Sequence, residues 1–249
     1  MHAFHAPYGV YGNTASEWFE LTENAKRVRR YLEDSFIEHG RGPNLAQIMR
    51  DLGLDQRTTW HSLHQLERGV QVMFVPGTET ISKMPPFSNV PTRHRLTVDG
   101  ESKWYVGCGG ECCAVGGMFP GRTAIIDSFC PDCWEPIRFE TKDLIVVALD
   151  PPTTVLHIGI HPNRFREEWN VTCDSINFFI SAEHVAEWER AFPDKRGVIV
   201  PIKLGEAPPM GVEIARIRHW DYDRGPDPGG GQAMVERYRA MGVDVSAWE

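Results

Sequence analysis

"PPFSNVPTRHRL", Pro85 to Leu96, divides the 249-residue sequence into two kinds of pattern. Its prolines fix φ and remove backbone donors, so the stretch reads as a linker. Upstream the apolar residues recur with helical spacing. "TENAKRVRRYLEDSFIEHG" aligns Ala25, Val28, Leu32, Phe36 and Ile37, with Thr22 as N-cap and Gly40 as stop. "NLAQIMRDLGL" and "DQRTTWHSLHQLERG" follow, opened by Asn44 and Asp55, and the Gly53 turn between them has helix-turn-helix spacing. "VQVMFVPGTETISKM" then reads as strand, Pro-Gly turn and strand, so residues 1–84 are expected to form a helical, winged-helix-like domain. Downstream, "KWYVGC", "RTAIIDSFC", "PIRFET", "LIVVALD", "VLHIGIH", "INFFIS" and "GVIVPI" are strand-like, whereas "SAEHVAEWERAFP" is an amphipathic helix capped by Ser181. "RGPDPGGGQ" reads as a loop and "AMVERYRAMG" as a terminal helix. Residues 85–249 are therefore expected to be a mixed, mostly β-strand domain with packed helices, making the chain α+β.

Composition narrows the function. With 41% hydrophobic and 10% aromatic residues the chain can bury a proper core. A formal charge of −8 argues against a protein that grips phosphate backbones. The third helix would carry Gln56, Arg57, Thr58, Trp60 and His61 to DNA if the winged helix were a reader. Only Arg57 and Arg68 are positive there, against Asp55 and Glu67, which favours a packing or dimer-forming unit over nucleic acid. The N-terminal "MHAFHAPYGVYGNTASEWFE" has no basic segment followed by an apolar one, and no window approaches the roughly 20 apolar residues of a membrane span. A cytosolic protein without membrane association is expected, and its 6 cysteines are then metal ligands or reactive thiols rather than disulfides.

Five of those cysteines lie between Cys108 and Cys133, three of them in "WYVGCGGECCAVGG", Trp104 to Gly117. Two chemistries compete. Cys108-x3-Cys112 followed by Cys130-x2-Cys133 offers four thiolates for tetrahedral zinc, although such sites favour two-residue gaps in both halves. Alternatively the thiolates capture a soft ion such as mercury or copper(I) while a carboxylate moves a proton. Glu111 speaks for the second reading, because a zinc knuckle needs no carboxylate inside it and a spacing of three sets Glu111 beside Cys108. A solvated loop charge is the plainer account of Glu111 taken alone.

At these residues the sequence resembles the organomercurial (alkylmercury) lyases. The likeness begins at "PFSNVPTRHRL" and runs through "YVGC", where Cys108 stands in the place of the first active-site cysteine. "FPGRTAIIDSFC" is similar to the family's strand-turn-strand, with Cys130 in the place of its structural cysteine. In "VTCDSINFFISAEHVAEW", Cys173 occupies the place of the second active-site cysteine. The helical N-terminal part is similar in kind to the family's winged-helix-like domain. The resemblance implies a cofactor-free lyase that cleaves the carbon–mercury bond by protonolysis. Cys108 and Cys173 would hold mercury, Glu111 would carry the proton, and mercury(II) would stay on the two thiolates until cellular thiols or a mercuric reductase remove it.

Two departures from the family bear on that expectation. The family's proton carrier is usually an aspartate three residues after the first cysteine, and Glu111 stands there. Its extra methylene shifts the carboxylate by roughly an ångström, which a backbone adjustment at Gly109 and Gly110 would offset. Cys112, Cys113 and Cys133 are surplus to the catalytic set and would trap metal, relay it, or form a zinc or copper site with Cys130. The surplus keeps two alternatives open: a lyase-like enzyme acting on another carbon–heteroatom or organometal substrate, and a non-catalytic metal-binding or metal-responsive winged-helix protein. Among other candidates, Asp174 adjoins Cys173 but should point away from it. His157 and His161 share a face if "HIGIHP" is a strand, as ligands or as core-edge histidines. Arg122 reads as an ion-pair partner. Trp104, Tyr105, Phe178 and Phe179 suit either an apolar pocket or the core.

Overall fold

The structure is a computed structural model that describes residues 20–69, 71–75, 77–165, 169–214 and 230–249. Three helices open it, each started by a side chain that accepts an otherwise orphaned backbone N–H. Thr22 caps α1 (Glu23–His39), Asn44 caps α2 (Leu45–Leu52) in a reciprocal capping box with Gln47, and Asp55 caps α3 (Gln56–Arg68). Gly40 and Gly53 end α1 and α2 in the left-handed conformation that a glycine adopts without strain. The apolar face of α1 buries Ala25, Val28, Leu32 and Phe36.

An eight-stranded antiparallel sheet follows, in the order β1 (Met73–Phe74), β2 (Ile81–Met84), β3 (Phe87–Ser88), β5 (Glu101–Val106), β4 (His94–Val98), β6 (Thr123–Phe129), β7 (Pro136–Lys142) and β8 (Ile145–Asp150). The stretch from Pro85 to Leu96 is therefore no linker. Phe87 pairs with Met84 of β2 and with Val106 of β5, and residues 84–88 are buried. β2 ends at Met84, and a turn at Pro85–Pro86 leads directly into β3 of the same sheet. Trp104 of β5 donates its indole N–H to the Phe36 carbonyl at 2.7 Å, which fixes α1 on the sheet. A second antiparallel sheet has β9 (Val155–Ile158) between β10 (Ile176–Phe179) and β11 (Val198–Pro201). The two sheets meet where Phe178 of β10 packs edge-on against His94 and at a tilt against Phe139 of β7.

Short helices join these layers. α4 (Gly109–Val115) leaves β5, α5 (Trp169–Asp174) precedes β10, α6 (Ala182–Ala191) follows it, and α7 (Pro209–Ile214) lies against α4. The last helix is α8 (Gly230–Ala240). The expected loop "RGPDPGGGQ" falls mostly outside the described residues. Three local expectations change. "FPGRTAIIDSFC" supplies one strand, β6, preceded by a 3₁₀ turn at Gly116–Met118, because its Pro-Gly pair sits before the strand. Ser181 is extended at the start of α6 but makes no side-chain cap bond, since its hydroxyl is engaged by the Glu183 carboxylate. "HIGIHP" stops being a strand at Ile158, where Gly159 turns its N–H to the Ser175 carbonyl at 2.8 Å. Among the described residues no helix is long and apolar enough to cross a membrane.

Candidate active site

β5 delivers the chain into the junction of the two sheets at Gly107 and Cys108. Cys108 has extended backbone angles at the start of α4, and its carbonyl accepts the Cys112 N–H at 2.9 Å. That first turn sets Glu111 beside Cys108. Cys173 arrives from α5, 65 residues later in the sequence. A donor atom from each of Cys108, Glu111 and Cys173 lies within 4.8 Å of the others, and all three side chains are buried. Asp174 turns outward, 68% exposed, and faces Lys195 Nζ at 3.6 Å, so it stands outside this group.

Glycines determine how closely the parts approach. A Cβ at Gly107 would overlap Glu111 Oε2, so the carboxylate occupies the volume that a side chain there would take. A Cβ at Gly109 would meet Leu156 Cδ1 at 2.9 Å and the Ile176 carbonyl at 3.0 Å, and one at Gly110 would meet Met210 Cγ at 3.0 Å. These two glycines press α4 against β9, β10 and α7. They are too tightly packed to offer the backbone adjustment expected of them, and room for the longer glutamate comes from Gly107 instead. The missed residue had a sequence signal, a third glycine next to Cys108.

Electrostatics keeps the Cys108 thiol protonated at rest. The hydrogen bond to the Cys173 thiol, then burial, then the nearby Glu111 carboxylate push the Cys108 thiol well above the ordinary thiol range. A hydrogen bond from the Glu111 N–H opposes this more weakly. Cys112 and Cys113 are fully buried on α4, and burial also raises both of their thiols. Among the described residues they join no cluster of three metal-ligating side chains. The expected four-thiolate zinc set is thus divided, with Cys108 going to the Glu111 group and Cys130 and Cys133 lying together with His184.

The remaining candidates have structural partners. His157 is buried and bonded to Glu189 at 3.0 Å, while His161 caps a 3₁₀ turn through the Asn163 N–H, so the two are not a ligand pair on one strand. Arg122 pairs with Asp99 at 2.6 Å. Trp104 packs on Phe119, Phe178 on Phe139, and Phe179 on Trp188, whereas Tyr105 lies on the other face under the Arg95 guanidinium. Core packing accounts for Trp104, Phe178 and Phe179, and stacking under Arg95 accounts for Tyr105.

Two buried thiols with a carboxylate beside them, held at the junction of two antiparallel sheets, define a class of protein equipped to take a soft metal onto sulfur beside an acid. The alkylmercury lyase (MerB) family model matches residues 87–213, about half of the chain. This chain belongs to the alkylmercury lyase family. The alkylmercury lyases of Bacillus cereus and Clostridium butyricum are each 30% identical to it over 102 residues, which is 40% of this chain and 44% of theirs. The chain thus spans less than half the length of these curated relatives. A crystal structure of the mercury-bound form of MerB2 shares the fold, with a TM-score of 0.62 at 19% identity over 79% of this chain and 92% of that one.

Proposed function

We propose that this protein cleaves the carbon–mercury bond of organomercurials by protonolysis. The observation that carries the reading is the convergence of Cys108, Glu111 and Cys173 within 4.8 Å in a buried site. One thiol binds R–Hg⁺ as thiolate and releases its proton, since soft sulfur prefers soft mercury. Glu111 takes the proton of the other thiol, whose sulfur becomes the second mercury ligand and pushes electron density toward carbon. Glu111 then passes that proton to carbon. The electron pair of the breaking C–Hg bond forms the new C–H bond. R–H leaves, and mercury, which remains mercury(II) throughout, stays on two thiolates until cellular thiols or a mercuric reductase accept it. No further cofactor enters these steps, and a reducing cytosol suits the free thiols.

The order of α1–α3 followed by the β1–β2 hairpin suits a winged-helix-like unit, in which we read packing rather than DNA recognition because α3 carries little positive charge. Gas-chromatographic detection of benzene from phenylmercury in excess thiol tests the main reading. Many turnovers, lost in Glu111→Gln and in Cys108→Ser, are expected. Mercury retention without hydrocarbon would replace the lyase by a binding protein.

A further inference from the structure

A second group of donors gathers at the turn between β6 and β7 and shares no residue with the site above. The sulfurs of Cys130 and Cys133 and a ring nitrogen of His184, in the first turn of α6, lie within 4.8 Å of one another. We propose that they form a zinc(II) site that fastens the β6–β7 turn to α6.

The turn is shaped for metal. Trp134 N–H donates to the Cys130 carbonyl at 2.9 Å, and Cys130 N–H donates to the Glu135 carbonyl at 3.0 Å. The Glu135 N–H is directed at the Cys133 sulfur, so the turn also holds that side chain in place. That arrangement requires Trp134 in the left-handed region at φ 64, an unfavourable conformation for a bulky residue that is 70% exposed and gains little from burial. The histidine is oriented as well. Asp132, inside the same Cys-x2-Cys turn, bonds His184 Nδ1 at 2.6 Å. A carboxylate on one ring nitrogen leaves Nε2 to ligate and makes it more basic, the usual support of a metal-bound histidine.

The distances fit. Donors around tetrahedral zinc stand roughly 3.5–3.8 Å apart, so closing from within 4.8 Å requires about 1 Å of movement at most. Rotation of Cys133 and His184, both partly exposed, supplies it. Two thiolates and an imidazole select a borderline-soft ion such as zinc over magnesium or calcium. Binding releases two thiol protons to solvent and leaves a neutral Zn(S⁻)₂ unit, which suits a half-buried position, with water completing the tetrahedron.

Cobalt(II) tests the site because thiolate-bound tetrahedral cobalt absorbs in the near ultraviolet. The probe is added to reduced full-length Cys108→Ser/Cys173→Ser, which removes the other dithiol. We expect one equivalent of cobalt with thiolate charge-transfer absorption, displaced by one equivalent of zinc, and a higher Tm when zinc is bound. Cys133→Ser and His184→Gln should each weaken cobalt binding at least a hundredfold, and Asp132→Asn about tenfold. Absence of charge-transfer absorption from the double variant would overturn the proposal. So would unchanged affinity in His184→Gln with its circular dichroism intact.

Discussion

Gly107→Ala is expected to move the Glu111 carboxylate, the proposed proton carrier, without touching a thiol. Gly107 lies outside the left-handed region, so its backbone accepts an alanine. The obstacle is space, because the new methyl would overlap Glu111 Oε2 and lie 3.2 Å from Cδ. To restore an ordinary contact the carboxylate has to retreat by on the order of 1 Å, a misplacement that costs about a hundredfold in rate, or about 3 kcal/mol of barrier. Overpacking should also remove about 1–3 kcal/mol of stability, several degrees of Tm in a chain of this size. Single-turnover benzene release from phenylmercury reads the chemical step, and retention of mercury(II) in a separate titration reads the thiols. We expect the first to fall about a hundredfold and the second to change by less than about threefold. Adding Glu111→Asp withdraws the carboxylate from the new methyl, so the double variant should exceed Gly107→Ala by at least about tenfold. Wild-type turnover in a folded Gly107→Ala protein, or no recovery in the double variant, would refute the assignment of Glu111 as proton carrier.

Two further outcomes follow from buried groups. His94 is pushed down to about 3, first by burial and then by the charges of Arg93 and Lys83, so it stays neutral in the fold while the unfolded chain protonates it near its ordinary 6.5. Stability should be unaffected by His94 above that value and should fall by a few kcal/mol between pH 6.5 and 3, with a shallower slope in His94→Gln, as followed by urea unfolding. An equal slope in the variant would place the acid sensitivity elsewhere. Cys112→Ala and Cys113→Ala should each lose about 1 kcal/mol of stability and keep turnover within about threefold, because neither thiol belongs to the Glu111 group. A tenfold loss of turnover in either would bring that sulfur into the reaction.

The helix starts were legible because capping is local: Thr22, Asn44 and Asp55 each satisfy an N–H three residues away. The longer strands were legible from their β-branched and aromatic runs. β3 was not, since two residues carry no period, and its prolines suggested a break where the chain in fact pairs on both sides. The pairing of Cys108 with Glu111 followed from a spacing of three. Its completion by Cys173, and that of Cys130 and Cys133 by His184, depends on tertiary contacts that no local rule contains. The family likeness supplied Cys173. Nothing comparable pointed to His184, a single histidine on an amphipathic helix.

Under the proposed reaction, charge conservation suits three acids to one buried site. A buried unpaired charge is expensive, and the hydrogen bond to Cys173, burial and the Glu111 carboxylate all set the Cys108 thiol against ionisation. In the proposed reaction each proton that leaves a sulfur is replaced there by a bond to mercury. The first thiol exchanges H⁺ for R–Hg⁺, and the second sends its proton through Glu111 to carbon, after which Glu111 has returned to its starting charge. The site therefore carries the same net charge with two thiols as with mercury on two thiolates, and the low dielectric places no charging cost between them. Departure of bare Hg²⁺ would break this balance by leaving two thiolates buried. External thiols, which bring a proton for each sulfur they displace, would restore it, so under this proposal release by thiol exchange follows the same electrostatic logic as bond cleavage.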